Sequence, residues 1–132
     1  MITRENMMVR MLEVCPSFAQ TWSAFLNEWK DDKKGLPLYL ALADLARHVI
    51  SMLEKDETET FPRIFEIIEQ WHVEGDPYVQ EAATVGFLEA LQNTNIHKNT
   101  KPEDFSRFLG PLSKTWWDKL NKFWEKGELL RP

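Results

Sequence analysis

The sequence predicts an all-α fold, formed as a single domain over residues 1–132 with about six or seven helices. Apolar side chains recur at the roughly 3.6-residue spacing of an α-helix in five separate stretches. Proline and glycine stand between these stretches, where helices begin and end. A chain of 132 residues is also the right length for one hydrophobic core.

Three helices are predicted in the N-terminal half. The first covers about residues 4–14, with Thr3 as its N-cap, and the second covers about residues 18–30. The third covers about residues 37–53 and begins at Pro37, a favourable first-turn position. Its apolar arc is the widest in the chain, so we expect it to be the central and most buried helix.

Two further helices are predicted next. The fourth starts near Pro62 and ends at Gly75, and the fifth runs to residue 91. Asp76 is expected to cap the fifth helix, with Pro77 in its first turn.

The C-terminal part is predicted to hold a short helix and a long one. A short helix starts at Pro102, and a last helix follows Pro111 and ends at Gly127. The apolar face predicted for the last helix consists of Leu112, Trp116, Leu120, Phe123 and Trp124.

Residues 61–91 contain the pattern of a paired-helix repeat. The second helix of this segment opens with Asp76-Pro77, places Val79 two residues later and continues with Ala82-Ala83. This pattern resembles the HEAT repeat, whose second helix typically opens Asp-Pro-x-Val and continues with paired alanines. The resemblance implies antiparallel helix hairpins and favours a role as a protein-binding scaffold.

Small residues in the second helix of that pair predict a close helix–helix contact. We expect Ala83 and Gly86 to pack against the preceding helix at Ile64, Phe65 and Ile68. A glycine inside a helix costs roughly 1 kcal/mol relative to alanine, so Gly86 indicates tight packing.

Charge is distributed unevenly, although the net charge is only −5. Residues 54–81, called here the acidic segment, carry nine acidic side chains and two basic ones, a net charge of −7. This balance disfavours direct nucleic-acid binding and favours a basic protein partner; the alternative is a solvated face that only aids solubility. The candidate partner-binding carboxylates are Glu54, Asp56, Glu57, Glu59, Glu66, Glu69, Glu74 and Glu81.

Trp117 completes the candidate partner-binding set. Trp116 and Trp117 are neighbours on the last predicted helix and point about 100° apart, so one of them should lie at the edge of the apolar face. A partly exposed tryptophan is a common anchor in protein interfaces. The alternative is a boundary residue of the core.

Nothing in the sequence indicates catalysis. The three histidines, His48, His72 and His97, lie far apart in sequence, and no metal-binding, phosphate-binding or nucleophile motif is present. The lone Cys15 has no base nearby in sequence and reads as a small buried hydrophobe. We therefore predict no metal, no cofactor and no enzymatic activity.

The location is predicted to be the cytoplasm. The N-terminus shows no signal peptide, and no apolar run approaches the roughly 18 residues of a membrane span. A single cysteine suits a reducing compartment.

A second resemblance concerns the whole chain. It is carried by Gly75-Asp76 with Val79, the segment 84–89, the run Phe108-Leu109-Gly110-Pro111 and the run 117–124, which together resemble small helical bacterial proteins of toxin–immunity loci. These include immunity proteins of contact-dependent growth inhibition. Such proteins bind a cognate toxin domain and block its active site, which implies an inhibitor of a basic toxin domain, for example a nuclease. The alternatives are a generic HEAT-like adaptor or scaffold and an enzyme with an unrecognised site.

Overall fold

The computed structural model describes residues 1–126 and confirms the all-α prediction. Apart from an isolated bridge between Ile2 and Gly75, the described residues form no strand. They form seven α-helices: α1 (Met7–Val14), α2 (Ala19–Trp29), α3 (Leu38–Glu54), α4 (Phe61–Glu74), α5 (Pro77–Glu81), α6 (Glu89–Leu91) and α7 (Pro111–Lys126). The predicted helix end at Gly127 lies outside the described residues.

Four shorter helical segments complete the chain. Three are 3₁₀ helices, at Pro16–Phe18, Thr94–Ile96 and Pro102–Phe108. The fourth is a π-helix, Ala82–Leu88, which joins α5 to α6 without a break. Residues 77–91 therefore form the one helix predicted from sequence, but its centre is π-helical, a feature that the apolar spacing did not reveal.

The N-terminal segment is attached to the corner between α4 and α5. Ile2 donates a backbone hydrogen bond to Glu74 (3.0 Å) and accepts one from Asp76 (2.9 Å). The helix α1 begins at Met7 and not at residue 4, so Thr3 is not its N-cap. The Asp76 side chain accepts from the backbone N–H of Val79 (2.9 Å), which confirms the predicted cap of α5.

Gly86 was predicted to pack against α4, and this prediction is wrong. The π-helix packs most extensively on α3. A Cβ added at Gly86 would lie 2.9 Å from Leu42 Cδ1 and 3.8 Å from Tyr39 Cδ2, both on α3. Glycine at this position therefore allows close approach to α3, and not to α4 as the HEAT pattern suggested.

The core lies between the central helices and the C-terminal elements. α3 places seven of its 17 residues in the core. α4 buries seven of only 14 residues, so α3 is not the most buried helix, contrary to the prediction. Aromatic rings from α4 meet rings of the 3₁₀ helix Pro102–Phe108, with centroids 5.2–5.9 Å apart: Phe61, Phe65, Phe105 and Phe108. This cluster holds the 3₁₀ helix Pro102–Phe108 against α4.

Within residues 1–126, no helix combines the length and the apolar character needed to cross a membrane.

Candidate functional site

Six of the eight candidate carboxylates lie on exposed positions. They occupy the α3–α4 connection, the outer side of α4 and the end of α5: Asp56, Glu57, Glu59, Glu66, Glu74 and Glu81. The ion pairs formed within the described part of the chain, Arg47–Asp44 and Lys114–Asp118, involve none of them. Their charge is thus not neutralised by contacts inside residues 1–126, and it remains available to an outside partner.

Glu69 caps the N-terminus of α7, a role that the sequence did not reveal. Its carboxylate accepts hydrogen bonds from the backbone N–H groups of Leu112 and Ser113, each at 2.9 Å, in the first turn of α7. Partial burial alone would raise its pKa, but these bonds and the nearby His72 hold the pKa below its usual value. Glu69 is therefore a tertiary cap of α7, and we remove it from the candidate partner surface.

Glu54 is also engaged within the chain. Its two carboxylate oxygens accept from the backbone N–H groups of Lys98 (2.6 Å) and Asn99 (3.1 Å). Desolvation acts to raise its pKa, but these hydrogen bonds bring the pKa below its usual value. The side chain anchors the loop that follows the 3₁₀ helix Thr94–Ile96, so it too leaves the candidate surface.

The assignment of Trp117 to a partner surface is wrong. Its side chain is 2% exposed and belongs to the core. Trp116 is the half-buried member of the pair, and the Lys119 ammonium lies 4.8 Å from its ring centroid. The exposed tryptophan of α7 is instead Trp124, with 56% of its surface accessible.

An open groove of about 700 Å³ brings distant parts of the chain together around Trp124. We call it the Trp124 groove. α3, α6, the 3₁₀ helix Pro102–Phe108 and α7 all contribute to it. The residues that give it chemical character are Tyr39, Glu89, Gln92, Glu103, Trp124 and Glu125. This site was not predicted from the sequence, because its three carboxylates are 14 and 22 residues apart and form no cluster along the chain.

Two groups in the Trp124 groove are partly or wholly desolvated. Burial raises the pKa of Glu89 above its usual value. Gln92 is 8% exposed, and its Nε2 donates to the Trp117 carbonyl at 3.1 Å. Its Oε1 has no hydrogen-bond partner among residues 1–126. Such a buried acceptor without a partner is uncommon in folded proteins and calls for an explanation.

Tyr39 connects the groove to the acidic segment. Partial burial, followed in size by the Glu81 and Tyr78 charges, raises the pKa of Tyr39 to about 12. Its phenol therefore stays protonated at neutral pH and can donate or accept a hydrogen bond. Of the six exposed carboxylates, Glu81 therefore lies close enough to the groove residue Tyr39 to influence its pKa.

A second polar cluster is closed to solvent. His72 Nε2 lies 3.0 Å from Thr84 Oγ1, and His72 Nδ1 lies 3.1 Å from both the Ile68 carbonyl and Ser113 Oγ. A carbonyl can only accept, so Nδ1 carries the proton and Nε2 accepts from the Thr84 hydroxyl. His72, Thr84 and Ser113 are at most 4% exposed, so the cluster joins α4, the π-helix and α7 and offers no access to a substrate.

A serine–histidine pair lies at the surface near Cys15. Ser17 Oγ is 2.7 Å from His48 Nε2, a distance found between nucleophile and base in hydrolases. The other ring nitrogen of His48 makes no hydrogen bond to a described residue, so no acid orients the ring. Cys15 is buried, as predicted, with its Sγ 3.6 Å from Ser17 Oγ. The pair lacks the third member that catalytic triads use.

Within the described residues, no group of three or more His, Cys, Asp or Glu side chains is arranged to hold a metal ion.

Comparison with known proteins gives a family but no activity. Residues 8–125 match the model of a family described as a domain of unknown function, DUF7674, and the chain belongs to that family. No curated protein and no solved structure matches the chain significantly.

Proposed function

We propose that this protein is a non-catalytic, immunity-type inhibitor that binds and neutralises a basic toxin domain, for example a nuclease, in the cytoplasm. The observation that supports this most directly is the set of six exposed carboxylates without ion pairs among the described residues. A surface of one sign attracts a partner of the opposite sign and speeds its association.

The partner proposed is a protein and not nucleic acid or membrane. Phosphate-rich partners are repelled by a net charge of −7 over residues 54–81. A basic toxin domain fits such a surface, because an inhibitor that covers a cationic active site needs carboxylates directed outward. The resemblance to proteins of toxin–immunity loci points to the same partner.

A generic HEAT-like adaptor is the second candidate. It is favoured by the helix pair at residues 61–91, whose capped corner at Asp76 follows the HEAT pattern. An adaptor would bind a partner without suppressing any toxicity, so one assay of binding and growth can distinguish the two functions.

The test is co-expression with the product of the neighbouring reading frame. That product is expressed alone and together with this chain, and growth is followed. We expect growth arrest with the product alone and rescue with both, together with a complex of fixed stoichiometry on size exclusion. A stable complex with a non-toxic product would favour the adaptor. Arrest that this chain does not relieve would contradict the inhibitor.

A further inference from the structure

We infer that the Trp124 groove is the receptor for an arginine side chain, which a basic protein partner inserts against the Trp124 ring. This inference rests on the proposed function, since it names the chemical group of the partner that the site recognises. It places the principal contact outside the acidic segment, on a surface assembled from several elements of the fold.

The charge of the groove selects a cation. Glu89 on α6, Glu103 on the 3₁₀ helix and Glu125 on α7 share one concave site. None of these carboxylates forms an ion pair with another residue in the described range. Carboxylates that converge on a concavity focus the electrostatic field there, so a cation is attracted more strongly than it would be by a flat surface.

The aromatic residues of the groove favour a flat, weakly hydrated cation. Trp124 is 56% exposed although it is the largest side-chain type, and it lines the same groove as the three carboxylates. A guanidinium over an indole face gains cation–π attraction as well as contact area. An exposed tryptophan beside unpaired carboxylates is therefore suited to an arginine side chain.

Gln92 supplies the observation that separates arginine from other cations. Gln92 lines the groove, and its amide nitrogen is fixed by the Trp117 carbonyl. Its Oε1 is a buried acceptor without a partner among residues 1–126. Guanidinium carries five N–H donors in one plane, so it can bond a carboxylate and an amide oxygen together. An ammonium group is a compact, strongly hydrated charge and is less able to enter such a site.

The first test uses N-acetylarginine amide as the probe, titrated into the full-length protein labelled with ¹⁵N. We expect shifts of the Trp124 indole signal and of the backbone signals of residues 89–95 and 103. N-acetyllysine amide should bind several-fold more weakly. N-acetylcitrulline amide, which has the same shape without the charge, should bind about tenfold more weakly. Equal binding of the citrulline compound, or shifts that map elsewhere, would overturn the inference.

Two triple variants separate the groove from the net charge. Glu89→Gln, Glu103→Gln and Glu125→Gln neutralise the groove, whereas Glu57→Gln, Glu59→Gln and Glu66→Gln neutralise exposed positions of the acidic segment. Both change the net charge from −5 to −2. The groove variant should lose about tenfold in affinity for N-acetylarginine amide, and the segment variant should change less than about twofold. An equal loss in both would show that only net charge matters.

A single substitution tests the aromatic contact without loss of charge. Trp124→Ala should weaken binding of the probe several-fold. Val73→Ala is its control, because Val73 is 58% exposed on α4 and lies outside the groove. Thermal unfolding of both variants checks that the fold is kept, and unchanged probe binding by folded Trp124→Ala contradicts the inference.

Failure of this inference is distinguishable from failure of the proposed function. The arginine titration reports on the groove without any partner, whereas growth rescue reports on inhibition without any probe. Suppose that the groove variant still rescues growth and the segment variant does not. The inhibitor function would then be supported, and the groove would be shown to lie outside the interface with the toxin.

Discussion

Glu69 on α4 accepts a backbone hydrogen bond from Ser113 on α7 at 2.9 Å, across 44 residues of sequence. Its second carboxylate oxygen accepts from Leu112, also at 2.9 Å. A helix leaves its first N–H groups without partners, and a negative charge near them is favourable. One side chain of α4 thus fixes the start of α7, which carries both the buried Trp117 and the exposed Trp124.

Removal of this cap should destabilise the protein. Glu69→Ala leaves two backbone donors of α7 without their acceptor, so we expect a loss of about 1–2 kcal/mol in the free energy of unfolding. Urea denaturation at pH 7 measures it. Glu66→Ala, an exposed glutamate one turn earlier on α4, is the control and should change stability by less than about 0.5 kcal/mol. Equal stability of the two variants would contradict the capping role.

The buried face of α7 illustrates what apolar spacing can and cannot predict. The sequence predicted that Leu112 and Trp124 lie on the buried face, yet they are 40% and 56% exposed. The face that is buried contains Ser113, Trp117 and Leu120. Leu120 is common to the predicted and the buried face. Ser113 is polar and belongs to the His72 cluster, so apolar spacing alone does not identify it as buried.

The existence of the helices was easier to predict than their partners. Proline, glycine and Asp76 act locally, so they marked the start of α5 correctly. Gly86 showed that two helices approach closely, but nothing local says whether the second helix is α3 or α4. In the same way, the acidic residues were visible in sequence, whereas the internal bonds of Glu54 and Glu69 depend on residues more than 40 positions away.

The contact between Gly86 and Leu42 can be tested by paired substitutions. Gly86→Leu should destabilise the protein by roughly 1–3 kcal/mol, because the added side chain enters space held by Leu42. Leu42→Ala vacates part of that space, so the double variant should lose less than the sum of the single losses. Ile68→Ala on α4 is the comparison and should show additive losses. If the stability losses of Gly86→Leu and Leu42→Ala are additive and those of Gly86→Leu and Ile68→Ala are not, Gly86 packs against α4, as the HEAT pattern predicts.

His72 should make stability depend on pH below about 6.5. Burial lowers its pKa in the folded state, despite the hydrogen bond to the Ile68 carbonyl and the nearby Glu69 charge that act to raise it. Between the lowered pKa and 6.5, the unfolded chain binds more protons than the folded one. Stability from this group is therefore present above pH 6.5 and is lost as pH falls through the folded pKa.

The measurement is an NMR titration of the histidine rings together with urea unfolding across that range. The His72 signal should titrate below 6.5. His48 has its pKa lowered as well, mainly by burial and then by Lys55, so it contributes with the same sign. The pH dependence of stability that is due to His72 is measured in the His48→Gln variant, which lacks the contribution of His48. A His72 ring that titrates at or above 6.5 would refute the expectation.

Glu54 should control the mobility of the loop after Thr94–Ile96. Glu54→Gln replaces a carboxylate that accepts from both Lys98 and Asn99 by an amide with a single acceptor oxygen. We expect faster hydrogen exchange at these two backbone amides, with little change in the core of α3. Glu57→Gln, exposed three residues later, is the control. Unchanged exchange at Lys98 and Asn99 would show that other contacts hold the loop.

The exposed acidic segment should set the association rate with the basic partner identified by growth rescue. Glu57→Lys, Glu66→Lys and Glu74→Lys reverse three exposed charges and leave the caps at Glu54 and Glu69 intact. Because steering acts before contact and is screened by salt, the association rate should fall about tenfold at low ionic strength and much less at high ionic strength.

The matched control for this reversal is the variant carrying Glu5→Lys, Glu13→Lys and Glu28→Lys. These glutamates are exposed near or on α1 and α2, in a region with no excess of acidic residues, and their reversal changes the net charge by the same amount. Stopped-flow association at two ionic strengths, with thermal unfolding of each variant, compares the two. If both triple variants slow association equally, the acidic segment acts only through the total charge; a selective effect of the first identifies it as the steering surface.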